Sequence, residues 1–116
     1  MCKLFIGADV ELWTSSTKSM RMDGMVTSVR LENYFWKALT EIAERDHMNI
    51  PQLLTKLYYE SIDAGHDLGN FTSFLRVCCM RYLALQLAGE IPADTKIPLS
   101  DLAAEDILRS EVDQLH

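Results

Sequence analysis

With 116 residues, 48% of them hydrophobic and 24% charged, the chain has the composition of one ordinary globular domain, which excludes wholesale disorder. Arg76 and Arg81 interrupt the most apolar run, so no segment reads as a bilayer span, and residues 1–7 are too short for a signal peptide. A cytoplasmic protein with no membrane contact is expected, and Cys2, Cys78 and Cys79, an odd set without pairing spacing, fit reduced thiols there. The net charge of −6 speaks against nucleic acid only until it is located. Residues 1–48 carry −1, residues 49–88 are balanced, and residues 89–116 carry −5, so the acidity is mainly a property of the tail.

Residues 1–24 read as an N-terminal extension, with a short strand at residues 4–6 and a polar stretch after Thr14. Met25, Thr27, Val29 and Leu31 then alternate with Val26, Ser28, Arg30 and Glu32, the period of a half-buried strand. A lone short strand has no neighbour to satisfy its backbone groups. The reading that follows is a strand over residues 26–31 that pairs with the same strand of a second copy.

At Leu31 the period changes. Leu31, Phe35, Leu39 and Ile42 recur at helical spacing, which predicts a first helix from Glu32 to about Asp46. Asn49, Pro51 and Gln52 form a helix start, with Asn49 as cap, and Ile50, Leu53, Leu54, Leu57, Tyr58 and Ile62 mark the buried face as far as Gly65. A third helix is expected from Asn70 or Thr72, with Phe71, Phe74, Leu75, Cys78, Cys79, Tyr82, Leu83 and Leu87 on its apolar face, stopped by Gly89 and Pro92. The tail holds a Ser100-capped helical candidate with Ala104, Leu108, Val112 and Leu115 in line.

Strand, helix, helix, with Val29-Arg30-Leu31, Phe35, Leu39, Ile42-Ala43 and Asn49 in these places, resembles the ribbon-helix-helix family of bacterial DNA-binding proteins. A closer likeness, carried by Cys2, Phe5-Ile6, Trp13, Arg21, Gly24, residues 27–32, Phe35-Trp36 and residues 70–76, is to small bacterial ribbon-helix-helix domain proteins with an N-terminal extension and a third helix. The expected fold is therefore mainly α: one short strand pairing across a homodimer, two helices, and an added third helix. Residues 1–24 form the extension, 25–64 the core, 65–88 the third helix and 89–116 the acidic tail.

The resemblance implies a transcriptional regulator of the cytoplasm that inserts a dimeric ribbon into the major groove of double-stranded DNA. The base-facing positions are then Val26, Ser28 and Arg30, and the phosphate-facing ones Asn49 and Ile50. By their charge alone, Lys18 and Arg21 of the extension are either further phosphate contacts or plain solubilising surface charges. Arg can bridge guanine O6 and N7, and a helix N-terminus offers amides to a phosphate.

The alternative is a dimeric protein-interaction module of the same fold that binds a protein partner through the acidic tail. An arylsulfate sulfotransferase-type enzyme, a label sometimes given to members of this subgroup, is the remote third reading, because no Walker or Gly-x-Gly-x-x-Gly loop and no nucleophile–base arrangement is present. His47, His66, His116 and Cys2 lack ligand spacing, so no metal or cofactor is expected. Trp13, Trp36, Phe71 and Phe74 read as core or dimer interface, and Cys78-Cys79 as small apolar groups within the third helix.

Overall fold

Residues 15–32 fold back on themselves. In the computed structural model, which describes residues 2–22, 24–66 and 69–115, strand β1 (Ser15–Met22) pairs antiparallel with β2 (Met25–Glu32), and Met22 stands opposite Met25. The strand read as lacking a partner thus has one in its own chain. Its signal is the Asp23-Gly24 dipeptide between two alternating runs, a strong short-range mark of a hairpin, and Gly24 takes the positive φ of 79° that such turns require. β1 escapes a hydropathy reading because Met20 and Met22 are the only apolar residues among its inward-facing positions.

The ladder's phase follows from one bond. The Asn33 N–H donates to the Thr14 carbonyl at 2.9 Å, one step beyond the Ser15–Glu32 pair. Hydrogen-bonded pairs alternate in an antiparallel ladder, so Ser16–Leu31, Lys18–Val29 and Met20–Thr27 carry the bonds. The N–H and C=O groups of Val26, Ser28 and Arg30 consequently point away from β1, along a free edge.

Helix α1 (Cys2–Ile6) stands where a strand over residues 4–6 was expected. These residues satisfy their backbone groups within their own turn, and the Gly7 amide donates to the Lys3 carbonyl at 3.0 Å. A 3₁₀ turn (Val10–Leu12) leads to the hairpin. Helix α2 (Asn33–Arg45) follows β2 without a linker, then α3 (Ile50–Asp63), α4 (Phe71–Leu87), a second 3₁₀ turn (Leu99–Asp101) and α5 (Ala104–Leu115). The Gly65 and Gly89 stops adopt positive φ, the conformation a helix C′ residue favours. His47, also left-handed at φ 57°, makes the tight α2–α3 turn. The side chains of Gln114 and Leu115, and all of His116, lie outside the described residues.

The core joins the inner face of the hairpin to three helices: Met20, Met22, Val29 and Leu31 meet Trp36, Leu39, Ala43, Leu53, Leu54, Leu75 and Cys79. Helix α3 lies against β1. The Trp36 indole N–H donates to the Ser16 carbonyl at 3.0 Å, tying α2 to β1. Phe71 and Phe74 stack on each other at 6.1 Å beside this core, whereas Trp13 stays 67% exposed on the chain's surface.

The tail is not peripheral over its first half. Ile91 is buried, and Arg45, at the end of α2 and only 2% exposed, donates to the carbonyls of Ile97, Pro92 and Asp94 at 2.9, 3.0 and 3.1 Å. It also donates to the Tyr82 hydroxyl, which donates in turn to Glu41. Ser100 does not cap α5; its amide and hydroxyl donate to the Asp46 carboxylate instead, and the helix begins at Ala104.

Candidate nucleic-acid interface

The alternation of the two strands sorts their side chains onto two faces. Thr27, Val29 and Leu31 of β2 turn inward with Met20 and Met22. Val26, Ser28 and Arg30, the three groove-facing candidates, are all exposed on the opposite face. β1 adds residues expected to belong to the N-terminal extension: Thr17 opposite Arg30, Ser19 opposite Ser28, and Arg21 opposite Val26. The two serine hydroxyls bond each other at 2.9 Å. Among the described residues this outer face carries two arginines and, apart from Glu32, no carboxylate.

Glu32 is answered from elsewhere. Its carboxylate receives a fork of bonds from Arg76 of α4, the shortest 2.7 Å, and the Arg76 guanidinium lies 5.9 Å from the Phe35 ring centroid. The Arg76 hydrogen bonds hold the Glu32 carboxyl below the usual carboxylate range, against a smaller opposing effect of burial. The ribbon's terminal negative charge is therefore paired rather than set against an incoming phosphate.

The phosphate candidates divide. Arg21 shares a depression of about 450 Å³ with Asn49, Pro51, Gln52, Thr55 and Lys56, so a hairpin cation stands beside the start of α3. The capping box there uses two first-turn donors itself: the Gln52 amide donates to Asn49 Oδ1, and the Asn49 amide to Gln52 Oε1, both at 2.9 Å. Pro51 has no N–H. The Ile50 amide is left as the open donor of that turn among the described residues. Lys18, expected to add a phosphate contact from the extension, lies on the other face from Arg21: it pairs with Val29, and its Nζ lies 5.4 Å from the Trp36 ring centroid.

A model of the ribbon-helix-helix domain matches residues 15–83, more than half of the chain. The chain belongs to the ribbon-helix-helix domain family. For this member of the family the match begins at β1 and ends within α4, so the hairpin, α2, α3 and most of α4 fall within the matched region. Its structure is similar to that of an uncharacterized protein from Bordetella pertussis Tohama I, with 48% sequence identity and a TM-score of 0.89, over 94% of this chain and 87% of that one. Comparison with curated proteins gave no match.

Cys78 and Cys79 sit on α4 away from the ribbon face. Burial pushes the Cys78 thiol up to about 11 and the Cys79 thiol up to about 12, and Cys79 Sγ approaches the Phe35 carbonyl at 3.6 Å. Among the described residues no cluster of three or more His, Cys, Asp or Glu is placed to hold a metal ion, and no helix is long and apolar enough to cross a membrane.

Proposed function

We propose that this ribbon-helix-helix protein is a sequence-specific DNA-binding regulator that acts as a homodimer. The observation that carries the reading is the outer face of the hairpin, where Val26, Ser28 and Arg30 stand exposed with Arg21 in the neighbouring strand. The free edge of β2 supports an intermolecular ribbon. Its unpaired backbone groups suit a second β2, and exposed Met25 and Val26 leave that edge poorly defended against strand addition. An apolar groove of about 350 Å³ near the Glu32 end, walled by Trp13, Tyr34, Met80 and Leu83, offers further surface for a second copy to cover.

In this arrangement the two β2 strands lie at the centre of a four-stranded sheet. Only that central pair enters a major groove about 12 Å wide, where Arg30 reads guanine. Each β1 flanks that ribbon, carrying Arg21 toward the phosphates with Lys56 in the same depression, while the open Ile50 amide at the start of α3 is a further phosphate donor.

Selection from a random duplex pool tests the DNA reading. Arg30→Ala lowers selectivity by about 1–3 kcal/mol at one position of each half-site, while Arg21→Ala weakens binding to all sequences and flattens the salt dependence by about one contact per copy. A pool that yields no enriched sequence refutes it. Ser28→Pro tests the edge, because it removes an N–H that the hairpin does not use. Sedimentation then gives a folded monomer; an undiminished dimer refutes the ribbon.

A further inference from the structure

Residues 91–101 lie beyond the matched family domain; they start against α4, where the Ile91 amide donates to the Leu85 carbonyl, and are then held by side chains from the end of α2, Arg45 and Asp46. Arg45 is the last residue of α2, Asp46 its cap, His47 the left-handed turn residue and Asn49 the cap of α3. Arg45 gathers three carbonyls of this segment, and Asp46 Oδ1 accepts from the amide of Ser100 at 3.2 Å. The segment is stiff on its own account. Pro92 and Pro98 restrict it, the Asp94 carboxylate accepts from the Lys96 amide, and the Ile97 amide closes a turn onto the Asp94 carbonyl. Ile91 anchors its start in a buried position.

A left-handed non-glycine turn is costly and persists only where surroundings hold it. The turn here carries the α3 start, whose Asn49, Pro51 and Gln52 share a depression with Arg21, so a small rotation would shift that helix start relative to the Arg21 side chain. We infer that residues 91–101 are a strap that positions the N-terminus of α3 against the hairpin, with Asp46 and Arg45 as its positioning residues. The acidic segment thereby strengthens phosphate binding through geometry although its charge opposes that binding. This consequence for DNA rests on the function proposed above, whereas the strap itself does not.

Hydrogen exchange on the full-length protein tests the strap without DNA. Asp46→Ala removes the acceptor for Ser100, and the Asn49 and Gln52 amides, donors of the capping box, then exchange about tenfold faster. The amides of Leu54 and Leu75 keep their protection. Asp46→Asn retains an acceptor oxygen and restores slow exchange. Unchanged exchange at Asn49 and Gln52 in Asp46→Ala overturns the proposal, as does equal acceleration at the core amides, which would mark a global loss of stability.

Fluorescence anisotropy with a random-sequence 20-base-pair duplex (a probe length set by roughly two helical turns) supplies the second readout. Loss of a negative charge alone tightens binding, so a severalfold weakening in Asp46→Ala has the opposite sign and supports positioning; tighter binding overturns the claimed benefit to DNA affinity. If the wild-type protein binds neither this duplex nor any selected sequence, the DNA reading fails while the exchange data still decide the strap.

Discussion

Ending the chain after Gly89 is the most informative single perturbation, because a tail with −5 of the net charge looks dispensable and the structure says it is not. The cut removes the Pro92, Asp94 and Ile97 carbonyls that hold Arg45, and with them the buried Ile91 side chain. Three hydrogen bonds to a charged group, at about 1.5–3 kcal/mol each, amount to roughly 5–9 kcal/mol if none is replaced. Water reaching the uncovered guanidinium returns part of that, and loss of Ile91 burial costs roughly 1.5–3 kcal/mol.

Even if water restores half of the hydrogen-bond contribution, a destabilisation of at least about 4 kcal/mol is expected, a large share of the 5–15 kcal/mol that stabilises a typical domain. Ending the chain after Ala103 instead removes α5 and its solvent-screened Arg81–Glu111 ion pair, a much smaller loss. Urea unfolding followed by circular dichroism distinguishes the two. A shortened chain ending at Gly89 within about 1 kcal/mol of full length refutes the lock, and full-length Arg45→Met, which keeps the tail but removes the donors, should lose a substantial part of the same stability.

Leu31→Asp places a charge at a position with no exposed surface in the chain's own core, so it should unfold the protomer by roughly 4 kcal/mol or more rather than release a folded monomer; a folded monomer in sedimentation would sink this. Alkylation at pH 8 should label exposed Cys2 readily and Cys78 and Cys79 only in denaturant, because thiols raised to about 11 and about 12 hold almost no thiolate there; rapid native labelling at Cys79 would contradict the burial. The Glu32–Arg76 pair lowers a carboxylate pKa, so its stabilisation is present above the ordinary value of 4.5 and fades as the pH falls through the lower folded value. Glu32→Gln should therefore flatten acid unfolding over that window and leave neutral-to-alkaline behaviour parallel to wild type; an unaltered acid limb would show that the fork contributes nothing.

The helices were legible because their ends are written locally. Asn49 and Gln52 satisfy each other's amides, Asn70 accepts from Ser73, and Gly65 and Gly89 supply the left-handed stops. The alternation of residues 25–32 likewise settled which side of β2 faces the core, since a period of two leaves Val26, Ser28 and Arg30 no other place. Three matters required the tertiary structure. β1 is polar along most of its length, and only its register against β2 shows that Thr17, Ser19 and Arg21 share the outer face. Lys18 and Arg21 look alike as cations of the extension, yet opposite faces of one strand send the first over Trp36 and the second toward α3. Arg45 reads as an ordinary last-turn basic residue, and nothing local marks it as buried, because its partners are carbonyls about fifty positions away. Caps and periods are interactions between near neighbours and so are carried by sequence; the choice of strand partner, and the burial of a cation against a distant loop, are decided only when the whole chain closes.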